Sequence, residues 1–265
     1  FPDPPERLTE GGNDPRLEFL RELFERNRRK NPDFDRIHYV DAEGPEECVL
    51  LLAHTFCDVQ NGIEPLMSPY REWFEAQDLG ASYDYYANLL RMLDWQRPGR
   101  RWLLKSPAHL WALDSIVRLF PDACIVQTHR DPVEIVPSYC SMMSAVMSIR
   151  ESVDAAELGR AVLDHLVALV ERGMAARRRC DPSRFIDIDY TSFVAKPLDT
   201  VESIYEQFSL PLDDATRQAL RSYAGEHRQA KHGSHDYSLE DYGLSREEVR
   251  ERFADYGEHF GLPGY

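Results

Sequence analysis

Two cations stand out because of the residues on either side of them. In Trp102-Leu103-Leu104-Lys105-Ser106-Pro107, three apolar residues precede a lysine, and Ser-Pro comes next. In Ala123-Cys124-Ile125-Val126-Gln127-Thr128-His129-Arg130-Asp131-Pro132 an arginine takes the lysine's place and Asp-Pro succeeds it. The apolar runs read as buried strands, and Ser-Pro and Asp-Pro as the cap and first residue of a helix. Each unit thus sets a cation at the carboxyl end of a strand, beside a helix N-terminus. In an open parallel sheet that edge binds ligands, and the chemistry suits a phosphate or a sulfate.

Ser138 extends the second unit. Seven residues beyond an Asp131 cap it lies about 700° around the helix and about 10 Å along it, back on the cap's face. An anion held by Arg130 and Ser138 would rest along the first two turns. An ion pair of Arg130 with Asp131 or Glu134, beside an ordinary helical serine, explains the same spacing. Lys105 can neutralise charge that develops on a leaving group, a task for which fixed cations are effective in a water-poor site. It can equally be a strand-end lysine facing solvent. His109, third after a Ser106 cap, faces the same edge as either a general base or a hydrogen-bonded structural group. A basic loop at Lys231-His232-Gly233 offers a further anion contact, with Gly233 permitting close backbone approach. There is no H-E-x-x-H, no Cys/His finger spacing and no G-x-S-x-G in the chain.

The elements that must carry these residues are set by periodicity. Helical spacing is expected over 17–29, 45–59, 83–95, 110–120, 133–149, 153–179, 197–208, 213–224 and 245–260, with strands at 102–104, 123–128 and 185–190. Strand, crossover helix, strand is the parallel-sheet pattern, here with many helices around few strands. A chain of 265 residues, 43% hydrophobic, can bury a substantial core. With 31 Lys+Arg against 46 Asp+Glu the net charge is −15, which argues against general binding to nucleic acid or an anionic membrane. Local cations must then hold any anion against the overall field. The cysteines at 48, 57, 124, 140 and 180 show no C-x-x-C spacing and look like reduced, cytoplasmic usage. Their spread puts Cys124 in a buried strand. No apolar run approaches membrane-spanning length.

Taken together, Leu104-Lys105-Ser106-Pro107, Leu119-Phe120-Pro121-Asp122-Ala123, His129-Arg130-Asp131-Pro132 with Ser138, and Ile204-Tyr205-Glu206-Gln207-Phe208-Ser209-Leu210-Pro211 resemble the core of the sulfotransferases that use 3′-phosphoadenosine 5′-phosphosulfate (PAPS), especially bacterial members. The likeness runs from about Trp102 to the C-terminus and is fainter at Pro45-Glu46-Glu47-Cys48. It implies an α/β fold of the P-loop type, helix-rich, with a parallel sheet sandwiched between helices. It implies that Arg130 and Ser138 hold the 3′-phosphate of PAPS or of adenosine 3′,5′-bisphosphate. By the same likeness Lys231, His232 and Gly233 contribute to that phosphate, Tyr190 lies near the adenine, and Lys105 stands near the transferring sulfuryl group.

The chain departs from the family at the start. Nothing matches the G-x-x-R-[ST]-G-T-[ST] loop that wraps the phosphosulfate, or the glutamate base that comes soon after it. We therefore expect residues 1–265 to form one sulfotransferase-like domain without its first strand and phosphate-binding loop, a shortened piece rather than a true loss. The expected activity is sulfuryl transfer to a hydroxyl or amine of a small-molecule acceptor, with His109 the base that this piece offers. Homo-oligomers are compatible with this expectation. A non-catalytic module that binds adenosine 3′,5′-bisphosphate or a protein partner is the alternative. A kinase would call for G-x-x-x-x-G-K-[ST], which is absent.

Overall fold

The computed structural model describes residues 14–30, 39–57, 69–96, 101–147, 153–226 and 237–265. Two short strands, β1 (Ile125–His129) and β2 (Phe185–Asp189), pair in parallel, from Ile125 opposite Phe185 to His129 opposite Asp189. Between them run helix α6 (Pro132–Met147) and the long α7 (Ala155–Arg177). Before them come α1 (Pro15–Lys30), α2 (Val49–Leu52), α3 (Pro69–Glu75), α4 (Gly80–Gln96), a 3-10 turn (Pro107–Ala112) and α5 (Leu113–Leu119). After β2 come α8 (Tyr190–Ala195), α9 (Pro197–Gln207), α10 (Asp214–Glu226), α11 (Arg246–Arg252) and α12 (Ala254–Phe260). The result is a helix-rich α/β fold with a small parallel sheet.

Local chemistry sets the helix starts as expected. Ser106 Oγ accepts from Ala108 N at 3.2 Å, and Asp131 Oδ1 accepts from Val133 N at 2.9 Å. Asp154 and Asp189 do the same for Glu157 N and Ser192 N, each at 2.8 Å. Such caps satisfy backbone donors that a helix leaves unpaired in its first turn. The main core draws on residues from Cys48 to Leu262 and centres on Val136, Cys140, Val162, Leu163 and Val249. In α7, Gly159 lets the turn at 240–242 come close, since a Cβ there would meet Tyr242 O at 2.2 Å.

The strand expected at 102–104 does not form. Residues 101–106 adopt neither strand nor helix, and Leu103 is 97% exposed. A three-residue apolar run needs a neighbouring strand to complete its ladder, and among the described residues none lies beside it. Cys124 likewise falls just outside β1 and is exposed rather than buried. The helix expected from Pro45 is shortened at its start, because Cys48 N donates to Lys105 O at 2.9 Å instead of entering a helical turn. The last expected helix is broken into α11 and α12 at Phe253. Among the described residues, no helix is long and apolar enough to cross a membrane.

Candidate anion site at the carboxyl edge of the sheet

The register of β1 and β2 decides what meets at their carboxyl ends. His129 and Asp189 are partners, so the next residues, Arg130 and Tyr190, leave the sheet side by side. The guanidinium carbon of Arg130 lies 4.9 Å from the centre of the Tyr190 ring, within cation–π range. Arg130 Nε donates to Glu134 Oε2 at 2.7 Å, one turn into α6. Burial would favour loss of the Arg130 proton; Glu134, and more weakly the nearby Tyr190 and Tyr237, outweigh it and bind the proton more firmly. Tyr237 therefore brings the C-terminal segment to the same edge. Ser138 is half-buried on α6. Lys231, His232 and Gly233 lie outside the described residues.

A partly buried polar network supports this edge from behind. His129, 3% exposed, contacts Tyr256 OH through Nδ1 at 2.8 Å and Asp187 Oδ1 through Nε2 at 2.7 Å. An ionised carboxylate only accepts, so the imidazole carries its proton on Nε2, and Tyr256 donates to Nδ1. Arg177 grips both Asp187 oxygens, at 2.6 and 2.5 Å, and reaches Gln127 Oε1 at 2.8 Å. Burial alone would raise the Asp187 pKa; the bonds from Arg177 and His129 overcome it and hold the carboxyl below its usual value. Burial lowers the His129 pKa, against the pull of Asp187. Phe260 stacks on the imidazole at 3.8 Å.

The first unit is arranged differently. Lys105 Nζ is ion-paired with Glu47 Oε1, and the lysine side chain is 66% exposed against 26% for the glutamate. His109 lies in the 3-10 turn at 107–112, between two buried tyrosines of α4. Its Nδ1 is 3.0 Å from Tyr83 OH, and its ring centre is 5.7 Å from that of Tyr86. Burial pushes the imidazole down to about 4, so it is neutral at pH 7. Of the residues that sequence reasoning picks, the structure thus brings Arg130 and Tyr190 into contact. It places Lys105 beside Glu47, and it packs His109 among aromatic rings. Glu47 carries only weak sequence signals, its place in the faint likeness at Pro45–Cys48 and a charge that suits the start of the helix expected from Pro45. Among the described residues, no group of His, Cys, Asp or Glu could hold a metal ion.

The carboxyl edge of a parallel α/β layer thus carries an arginine and an aromatic ring in contact. Comparison with known proteins makes the class definite: the sulfotransferase family model matches residues 2–214, and the chain belongs to that family. The solved structure of sulfotransferase STF1 from Mycobacterium tuberculosis H37Rv superposes with a TM-score of 0.77 at 33% identity, covering 96% of this chain and 66% of that one. Sulfotransferase STF9 from Mycobacterium avium gives 0.79 at 28% identity, covering 97% and 66%. Omega-hydroxy-beta-dihydromenaquinone-9 sulfotransferase Stf3 of Mycobacterium bovis is 24% identical over 157 residues, 58% of this chain and 40% of that protein; the Mycobacterium tuberculosis protein of the same name matches equally. The chain spans about 40% of the length of these curated relatives. Its fold is that of the sulfotransferases, the P-loop type.

Proposed function

We propose that this chain carries the nucleotide-holding half of a PAPS-dependent sulfotransferase acting on a hydroxyl or amine of a small-molecule acceptor. The observation that supports it most is the contact of Arg130 with Tyr190 at the carboxyl edge of β1 and β2. A planar ring beside a guanidinium fits a ligand that combines a base with a phosphate. The Arg130 fork keeps donors beyond the Nε that Glu134 takes, so the residues present suit adenosine 3′,5′-bisphosphate. Arg130, Ser138 and the loop at 231–233 would hold the 3′-phosphate, and Tyr190 would lie by the adenine.

When bound, PAPS supplies an activated sulfuryl group. The protein's own part is positioning and charge neutralisation, as in phosphoryl transfer. Lys105 offsets negative charge at the departing phosphate. His109 takes the acceptor's proton in this reading; held neutral with a pKa of about 4, it has a base strength nearer a carboxylate's than a free imidazole's. Since Stf3 is named for a menaquinone derivative, an apolar acceptor bearing a terminal hydroxyl is a sensible first substrate to assay.

Calorimetry tests the nucleotide part. Adenosine 3′,5′-bisphosphate should bind more tightly than ADP, and Arg130→Ala should abolish that preference. Equal affinity for the two nucleotides in the unaltered chain would defeat the proposal. A non-catalytic module would show the same preference without turnover. A radiolabelled sulfate-transfer assay over phenols, alcohols and amines separates the two.

A further inference from the structure

Lys105 is asked to be a fixed cation, yet the segment bearing it has no regular structure of its own. Residues 101–106 join no sheet or helix, Leu103 is almost fully exposed, and the lysine side chain is largely in solvent. A free lysine of this kind samples many rotamers, with about 2 kcal/mol of side-chain entropy to lose on being ordered. Two ties restrict it, and both come from adjacent residues far earlier in the chain, Glu47 and Cys48. Cys48 N donates to Lys105 O at 2.9 Å, and Lys105 Nζ donates to Glu47 Oε1. The anchor is firm: Cys48 is buried in the main core, and the Glu47 side chain is mostly covered.

An exposed ion pair of this type contributes only about 0–1 kcal/mol to folding, so stability does not explain it. Orientation does. The backbone bond fixes where the lysine leaves the chain, and the carboxylate fixes where its ammonium ends. An ammonium has three donors, and Glu47 uses one, which leaves two for an anion. We infer that Glu47 is the positioning residue of Lys105, holding its ammonium where the departing phosphate of the donor must lie. The inference rests on the role given to Lys105 above.

Glu47→Gln, with Lys105→Met and Glu47→Asp alongside, tests it through two readouts. The first is acetylation of Lys105 by a soluble amine reagent, measured by mass spectrometry against the exposed Lys196. Glu47→Gln should speed Lys105 labelling several-fold relative to Lys196, and Glu47→Asp should restore much of the protection. The second is the calorimetric affinity for adenosine 3′,5′-bisphosphate, whose 5′-phosphate is the group that departs. Removing a negative charge would by itself tighten anion binding, so electrostatics alone predicts a gain. A positioning role predicts the opposite sign, a loss of about three- to tenfold without a change in the unfolding midpoint. Unchanged labelling in Glu47→Gln overturns the inference. So does unchanged or tighter nucleotide binding in that variant while Lys105→Met binds more weakly. If Lys105→Met itself leaves the affinity untouched, the role of Lys105 fails, and with it this inference.

Discussion

His109 makes the stability of this protein depend on pH in a window where few other groups act. Burial in the aromatic cage of Tyr83 and Tyr86 lowers its pKa from 6.5 to about 4, so the folded protein resists its protonation while the unfolded chain accepts it. Above pH 6.5 neither state is protonated and nothing is lost. Between 6.5 and 4 the unfolded chain binds the extra proton, and stability falls as pH falls, by about 1.4 kcal/mol per unit. Below 4 both states are protonated and the loss is complete, at roughly 3 kcal/mol. From pH 7 to pH 5 the same linkage gives about 1.8 kcal/mol. The carboxyls held low, Asp187 among them, lose their contribution only as pH falls below the ordinary carboxyl range, outside this interval. His129, also lowered by burial, adds a loss of the same sign, so a comparison is needed. His109→Asn keeps a polar partner for Tyr83 but does not titrate. Urea unfolding monitored by circular dichroism at pH 7 and pH 5 should show the variant losing about 1.8 kcal/mol less than the unaltered protein over that interval. Equal losses would refute the reasoning, because the imidazole would then titrate alike in both states.

Three other perturbations probe the site and its support. Tyr190→Leu removes the ring beneath Arg130; at about 0.5–1 kcal/mol for an exposed cation–π contact, calorimetry should show adenosine 3′,5′-bisphosphate binding about two- to fivefold more weakly. Gly159→Ala gains about 1 kcal/mol of helix propensity but drives a Cβ to 2.2 Å from Tyr242 O, and overpacking at about 1–3 kcal/mol prevails, so thermal unfolding should come a few degrees lower. Arg177→Met strips Asp187 of its bidentate partner. After discounting for the partial exposure of that carboxylate, denaturant titration should register a loss of about 2 kcal/mol at pH 7, smaller at pH 3 where Asp187 is less ionised.

What can be read from the chain divides along a physical line. Ser106, Asp131 and Asp154 cap helices through bonds to residues two or three positions on, a local chemistry that any folded context preserves. The strands at 125–129 and 185–189 are legible as short apolar-rich runs bounded by turn residues, and the family likeness correctly implies the fold. Leu103 is not legible: whether three apolar residues are buried depends on what lies beside them, and the sequence cannot say which segment that is. Glu47 escapes for the same reason, since its partner is 58 residues away and nothing local marks the pair. Glu134 is the opposite case. One helical turn from Arg130, it is readable as an ion-pair partner from spacing alone, and the bond forms at 2.7 Å.

The contact of Arg130 with Tyr190 depends on residues that touch neither. Parallel pairing sets His129 against Asp189, and only that register brings the next residue of each strand together. Two strands paired in isolation would specify their register weakly. Here the inward face of β1 holds Gln127 and His129, while Val126 and Thr128 face out and are exposed. A slip of one residue would exchange these faces. His129 would turn away from Asp187 and Tyr256, leaving the buried Tyr256 hydroxyl without its imidazole partner and Asp187 with one bond fewer, a cost that opposes the slip. The network of His129, Asp187 and Arg177 therefore favours this register, and through register it sets the guanidinium beside the ring. Damage to that network should loosen nucleotide binding even where the fold survives, because the two site residues leave adjacent strands whose register it favours.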